Sequence, residues 1–314
     1  MTENAEKPQD IAVLIPCYNE EAAIATVVND FRAQLPDARI CVFDNNSSDR
    51  TAEVAREAGA EVWFEPRQGK GNVVRRMFSE IEADVYLMVD GDATYDAASA
   101  GALVEELNSN KLDMVVARRL TADSAAYRAG HQWGNRMLTG AVARIFGHLL
   151  TDILSGYRAF SRRFVKSFPA MASGFEIETE LTIHSLQLRL PVGEIDTPYF
   201  ARPEGSTSKL NTYRDGFRIL GTIVRLFVLE KPFQFFGLLA LAFVLASTAL
   251  FVPILVEYFA TGLVPKFPSL IVAVGGYVMA LLSLVMGVLL YTTSITRLEM
   301  KRFRYLDTPR SPPA

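Results

Sequence analysis

Val85-Tyr86-Leu87-Met88-Val89-Asp90-Gly91-Asp92-Ala93-Thr94-Tyr95 is an apolar run that ends in two carboxylates one residue apart. β-Forming residues followed by Asp and Gly read as a buried strand meeting a turn. Alternate residues of an extended chain point the same way, so Asp90 and Asp92 can face one ion or one phosphate group. Two anions so placed repel unless something positive lies between them. A hard divalent cation such as Mg2+ or Mn2+, itself bound to phosphates, supplies that charge. A plain polar turn is the competing reading, because Asp and Gly are common in turns. The flanking chain separates the two.

Upstream, residues 11–15 form an unbroken apolar strand stopped by Pro16. Asn19 is placed to cap a helix whose Ala22, Ala23, Ile24, Val27, Val28, Phe31 and Leu35 share a face. Residues 40–43 are a second strand, ending in the polar run 44–49. There Ser48 or Asp49 is placed to cap a helix that runs to Ala58 and closes at Gly59. Residues 61–64 are a third strand. Gly69-Lys70-Gly71 then opens a helix with Val73, Val74, Met77, Phe78 and Ile81 on one side. The strand before Asp90 is the fourth, and residues 113–117 are a fifth. Strands alternating with helices of this length predict an α/β fold, a mostly parallel sheet with helices on both faces. Ligands of such sheets bind beyond the carboxyl ends of the strands. Those ends carry Tyr18-Asn19-Glu20, residues 44–49, Asp90 with Asp92, and Arg118-Arg119, and four polar ends at one edge favour a site over a turn.

The motifs Ile15-Pro16-Cys17-Tyr18-Asn19-Glu20-Glu21, Asp44-Asn45-Asn46-Ser47-Ser48-Asp49-Arg50-Thr51, Gly69-Lys70-Gly71 and Asp90-Gly91-Asp92 together resemble the ordered signature of glycosyltransferase family 2, over roughly residues 10–210. The resemblance implies a GT-A (Rossmann-like) fold and a nucleotide-sugar donor. It implies that Pro16, Tyr18, Asn19, Glu20, Asp44 and Asn46 hold the nucleoside, that Asp90 and Gly91 also contact the nucleotide-sugar, and that Asp90 and Asp92 hold a metal on the diphosphate. Physical chemistry agrees: Asp44 can accept from a ring N–H of uracil or guanine. Lys70 and Gly71, at a helix start, suit a phosphate.

The stretches at residues 151–160, 174–180 and 202–209, with Arg118, Arg119 and Arg136, look like the acceptor half of polyprenyl-phosphate glycosyltransferases, the subgroup similar to dolichyl-phosphate mannose synthase. That likeness implies lipid-phosphate binding by Arg118, Arg119 and Arg136, with Arg119 and Arg136 gripping the phosphate, and diphosphate binding by Arg202 and Lys209. Arginine suits the task because its planar fork bonds phosphate oxygens in pairs. Of Glu176, Glu178 and Glu180, one is expected to be functional and the others exposed. His131, His148 and His184 lack metal-ligand spacing, and Cys17 and Cys41 read as small buried residues of a reducing compartment.

Residues 211–230 put Arg214, Arg218 and Arg225 on a narrow strip opposite a broad apolar face, the pattern of a helix lying in a membrane interface. Residues 233–256 and 269–293 carry no charge, and each exceeds the ~20 residues that cross a bilayer. Arg225 and Lys231 precede the first span; Arg297, Lys301, Arg302 and Arg304 follow the second. The connecting loop has only Lys266 as a base, so the positive-inside rule places both termini in the cytoplasm. The expected organisation is a catalytic domain at 1–210, an interfacial helix at 211–230, a two-helix anchor at 231–296 and a basic tail at 297–314. A net charge of -3 gives no case for a nucleic-acid partner.

The expected activity is metal-dependent, inverting transfer of a hexose-type sugar from a nucleotide-sugar, a UDP-sugar ahead of GDP-mannose, to a polyprenyl phosphate. It would act at the cytoplasmic face of the bilayer; a homo-oligomer is left open. The alternative from another class is an inactive membrane-anchored sugar-nucleotide-binding protein. A processive polysaccharide synthase is disfavoured because neither Trp63 nor Trp133 lies in a Gln-x-x-Arg-Trp motif.

Overall fold

The computed structural model describes residues 9–120, 139–140, 142–144, 150–174, 176–202, 221, 224 and 227–310. Two compact units divide the chain, Met1–Asp215 with Lys301–Ala314, and Gly216–Met300.

The first unit is built on seven strands: β1 (Ile11–Cys17), β2 (Arg39–Asp44), β3 (Glu61–Phe64), β4 (Val85–Met88), β5 (Met114–Leu120), β6 (Arg158–Ser161) and β7 (Val192–Pro198). Their spatial order is β3-β2-β1-β4-β6-β5-β7. All neighbours are parallel except β6, which runs antiparallel to both β4 and β5. Ala12, Val13, Leu14 and Ile15 are wholly buried in succession. Because successive strand residues point to opposite faces, both faces of the sheet are covered there.

Helices α1 (Ile24–Gln34), α2 (Thr51–Glu57), α3 (Lys70–Glu80) and α4 (Ala100–Ser109) connect the parallel strands; α5 (Arg162–Ser167) and α6 (Ile177–Leu188) follow β6. The expected faces are the buried ones. Ile24, Val27, Val28 and Phe31 of α1 and Val73, Val74, Met77 and Phe78 of α3 are removed from water. Each large apolar side chain so buried contributes about 1.5–3 kcal/mol. Ala22 is the exception and is exposed.

The helix starts differ from expectation. Asn19 does not cap α1, which begins at Ile24 with no side-chain cap. Asn19 adopts φ 54° instead, and its side-chain oxygen accepts from the amide of Ser48 at 2.8 Å. Asp49, one residue before the N-cap of α2, accepts from the Thr51 amide at 3.0 Å and from the Glu21 amide at 3.2 Å. Both side chains thus tie the β1 end to the β2 end. Gly59 closes α2 at φ 87°, as its position predicts.

Strands β6 and β7 are not among the five predicted. β6 has only four residues and β7 alternates weakly, so neither carries the apolar run of a buried strand. β6 lies inside the sheet, between β4 and β5, and its antiparallel direction puts its amino end at the same edge as the carboxyl ends of the others. The chain just before β6 therefore enters the edge where the polar strand ends collect.

The second unit holds α7 (Pro232–Thr261) and the greater part of α8 (Phe267–Asp307), of 30 and 41 residues, both long and apolar enough to cross a membrane. Pro232 starts α7, where its missing N–H is harmless, and Pro253 lies inside it. Ala240, Ser247 and Ile254 of α7, and Ala273, Ala280 and Gly287 of α8, recur every seven residues and are buried, with Thr248 and Tyr277 sharing a 2.9 Å hydrogen bond. Most other large apolar side chains of both helices are exposed. The expected interfacial helix at 211–230 lies largely outside the described residues.

Candidate active site

Three strand ends are stitched together at the polar edge. Asp44 closes β2 and is buried, its carboxylate accepting from the Ser47 amide at 3.3 Å. Glu20 is also buried, and its amide donates to the Thr51 hydroxyl at 2.8 Å. Pro16 does not stop β1, which pairs with β2 through Cys17; Pro16 is partly exposed, as are Tyr18 and Asn19 just beyond the strand. Asn46 takes φ 59° and faces solvent. The buried asparagine of this run is its neighbour Asn45, not the expected Asn46. Its side-chain amide donates to the carbonyls of Glu65 (3.1 Å) and Arg67 (2.7 Å), and its oxygen accepts from the Gly69 amide at 2.7 Å. Asn45 therefore sets the loop that delivers Lys70.

The glycines beside Lys70 and the acidic pair are there for close approach. A Cβ on Gly69 or Gly71 would run into the carbonyls of Ser173 or Ala172, and Gly69 also has φ 126°. A Cβ on Gly91 would meet the sulfur of Cys17. Cys17 and Cys41 are both free and buried.

Lys70, the first residue of α3, is ion-paired with both Asp90 and Glu178. Burial opposes its charge, but the two carboxylates outweigh burial and hold the ammonium well above the ordinary lysine range. Asp92 accepts from the Thr94 hydroxyl at 2.6 Å and pairs with Arg202 at 2.6 Å. Burial and the adjacent Asp90 push Asp92 upward against those partners. The positive charge that the pair needs is thus present in the protein as Lys70 and Arg202.

The glutamate run is also resolved by geometry. Glu180 accepts from the amides of Met171 (3.0 Å) and Ala172 (2.7 Å), and Glu176 from that of Gly174 at 3.3 Å, so both shape the chain that lies against Gly69-Lys70-Gly71. Glu178 is buried and faces Lys70. No signal in the sequence distinguishes it from its neighbours.

Asp90 and Asp92 offer hard oxygen ligands. Among the described residues no group of three or more His, Cys, Asp or Glu converges as a metal cage. Two carboxylates at the polar strand-end edge fit Mg2+ or Mn2+, which bind through one or two carboxylates with phosphates and water filling the other positions.

On the other side of β6, Arg118 and Arg119 point to opposite faces of β5 and do not converge. Arg118 pairs with Asp196 on an exposed surface. Arg119 grips Asp152 with two bonds of 2.7 Å and lies over the ring of Tyr199 at 5.4 Å. Burial works against the charge of Asp152, but the Arg119 bonds prevail and hold it below the usual carboxylate range. Glu194 fixes the same loop by accepting from the Thr151 hydroxyl (2.7 Å) and the Asp152 amide (2.9 Å). Gly156 lies against the Asp90 carboxylate, and its amide donates to the Tyr95 hydroxyl at 2.8 Å. The loop before β6 thus joins Arg119 to the Asp90 turn. Arg136 and Lys209 lie outside the described residues.

The sequence profile of glycosyl transferase family 2 matches residues 12–168. The chain is 32% identical to glycosyltransferase AglJ of Haloferax volcanii over 303 residues, 96% of this chain and 99% of that relative. It is 27% identical to a dolichyl-phosphate hexose transferase of the same organism over 225 residues, 71% of this chain and 96% of the relative. Glucosyl-3-phosphoglycerate synthase from Mycobacterium tuberculosis, solved with Mn2+, UDP-glucose and phosphoglyceric acid, aligns with a TM-score of 0.58 at 23% identity, over 69% of this chain and 79% of that one, a likeness of fold. The motifs at the strand ends, the family profile across half of the chain and the full-length relative agree: the chain belongs to glycosyl transferase family 2.

Proposed function

We propose that this transferase moves a hexose-type sugar from a nucleotide-sugar, a UDP-sugar as first choice, to the phosphate of a membrane polyprenyl phosphate. The observation that carries the reading is the Asp90/Asp92 turn, with Lys70 and Arg202 on its carboxylates, in a chain that also has two helices apolar enough to cross a membrane. The similarity to a dolichyl-phosphate hexose transferase supports a lipid phosphate as acceptor. The bases flanking the two spans support a cytoplasmic site.

Asp90 and Asp92 would hold Mg2+ or Mn2+, which when bound supplies Lewis-acid neutralisation of the departing nucleoside diphosphate. Lys70 and Arg202 stand beside those carboxylates and would take diphosphate oxygens. Asp44 would accept from the base. Arg119, held by Asp152, would grip the acceptor phosphate, together with Arg136. That phosphate is already anionic near neutral pH, so the residues need to align two repelling groups more than to remove a proton. A single displacement inverts the anomeric carbon.

Purified full-length protein in lipid nanodiscs, given undecaprenyl phosphate and a panel of UDP- and GDP-sugars, should form a lipid-linked sugar detectable by mass, and chelation of divalent cations should stop it. Asp92→Asn should lower the rate by at least about 100-fold, the scale on which loss of one electrostatic stabiliser acts. Full metal-dependent transfer by Asp92→Asn would sink the assignment. Nucleotide binding without product from any sugar would instead favour a binding protein.

A further inference from the structure

The three carboxylates around Lys70 and Arg202 differ in reach. The side chain of Asp90 is 28% exposed, whereas those of Glu178 and Asp92 are each 6% exposed. Glu178 stands on the first turn of α6, and Lys70 on the first turn of α3. Each carboxylate of the acidic pair has a cation of the protein on it, Lys70 on Asp90 and Arg202 on Asp92. A divalent cation arriving alone competes with both. A nucleoside diphosphate offers both basic side chains another anion to bind.

We propose that Glu178 is a positioning residue that keeps Lys70 in the donor site when Asp90 passes to a divalent cation, so that Lys70, released by Asp90 and still held by Glu178, meets the diphosphate. This rests on the reading of Asp90 and Asp92 as the metal- and nucleotide-binding pair. Lys70 then exchanges one of its two anions without leaving the site, and burial of Glu178 makes it the partner that stays. The consequence is coupled binding: the nucleotide tightens the metal, and by reciprocity the metal tightens the nucleotide. Glu178 contributes to that coupling only through Lys70.

The test uses the full-length protein in detergent micelles, with free Mn2+ read by electron paramagnetic resonance, without and with saturating UDP (or GDP, whichever the chain binds). In the wild type the nucleotide should tighten Mn2+ by about tenfold or more, within the usual range of such couplings. Lys70→Met should tighten Mn2+ in the absence of nucleotide and shrink the coupling. Glu178→Gln should weaken Mn2+ in the absence of nucleotide and also shrink the coupling, and the Lys70→Met/Glu178→Gln double variant should show the coupling of Lys70→Met alone.

The double variant removes one charge of each sign, so it also carries the test if Lys70→Met, which leaves buried carboxylates uncompensated, does not fold. In it, Mn2+ binding without nucleotide tighter than in the wild type supports the exchange. Equal or weaker binding overturns it, as do wild-type affinities that do not respond to nucleotide, or effects of the two substitutions that simply add. Failure of both UDP and GDP to bind the wild type would remove the donor-site reading, and this proposal with it. Absence of sugar transfer alone touches neither affinity.

Discussion

Cys17 and Gly91 meet where the end of β1 passes under the acidic turn, and the pair shows how little space that turn has. Overpacking of this kind costs about 1–3 kcal/mol. Gly91→Ala should therefore lower the unfolding midpoint, and Cys17→Ala in the same chain should restore most of the loss, a coupling that thermal unfolding of the two single variants and the double variant will measure. If the two effects add, the sulfur is not what excludes the methyl. Gly71 is different in kind. Its neighbour is the backbone at Ala172, which cannot give way as a side chain does, so no single compensating substitution is expected there. Asn45 acts through hydrogen bonds instead. Replaced by Ala, it would leave the carbonyls of Glu65 and Arg67 and the amide of Gly69 without their partner, at about 1–3 kcal/mol for a buried group left unpaired.

Between elements, Arg158 opens β6 and is wholly buried. It donates to the carbonyls of Ile153 (2.7 Å) and Ser155 (2.9 Å) and to the Thr182 hydroxyl (2.9 Å). Burial lowers it to about 10, against the nearby carboxylates of Glu178 and Asp152. The loop that carries Asp152 is thereby fastened to α6, the helix that carries Glu178. Further along α6, His184 sits edge-on to the rings of Phe164 (5.4 Å) and Phe168 (5.2 Å), and neither ring nitrogen has a hydrogen-bond partner among the described residues. Burial, with Lys301 nearby, pushes it down to about 3 from an ordinary 6.5. The unfolded chain then binds a proton between those values that the folded chain refuses. Stability is intact above pH 6.5 and falls toward pH 3, by about 1.4 kcal/mol per pH unit from this group. Thermal midpoints measured across that range should fall less steeply for His184→Phe than for the wild type. Parallel curves would show that another group dominates.

At the scale of the whole molecule, residues 301–310 belong to the first unit and bond within it, which a basic tail read from charge alone does not convey. The Tyr305 hydroxyl donates to Asp113 at 2.7 Å, Arg163 lies 5.0 Å over the Tyr305 ring and donates to the Thr308 carbonyl at 2.9 Å, and Arg162 donates to the Pro309 carbonyl at 3.1 Å. Asp113 precedes β5 and so lies at the sheet edge opposite the acidic turn. Tyr305→Phe removes a hydrogen bond to a buried carboxylate, worth about 1.5–3 kcal/mol. It should lower the thermal midpoint while leaving UDP affinity unchanged in a titration of the full-length protein. An unchanged midpoint would mean that the segment is not part of the unit's stability.

Local chemistry in the sequence determined the five apolar strands, the helix faces of α1 and α3, the shared polar edge, the Asp90/Asp92 pair and the two long apolar helices. Periodicity and chain-end chemistry act within a few residues, so they can be read without coordinates. Only the tertiary structure decided that Glu178, and not Glu176 or Glu180, faces Lys70, that Asn45 is the buried asparagine, and that a four-residue antiparallel strand enters mid-sheet. It also separated Arg118 from Arg119 and set Tyr305 on Asp113, 192 residues away. Each of these is a choice among chemically equal candidates, and the choice is made by which elements pack together. The acidic pair could be seen in the sequence; that Lys70 and Arg202 are the cations on it was decided by the packing that brings the start of α3 and the chain after β7 to the Asp90 turn.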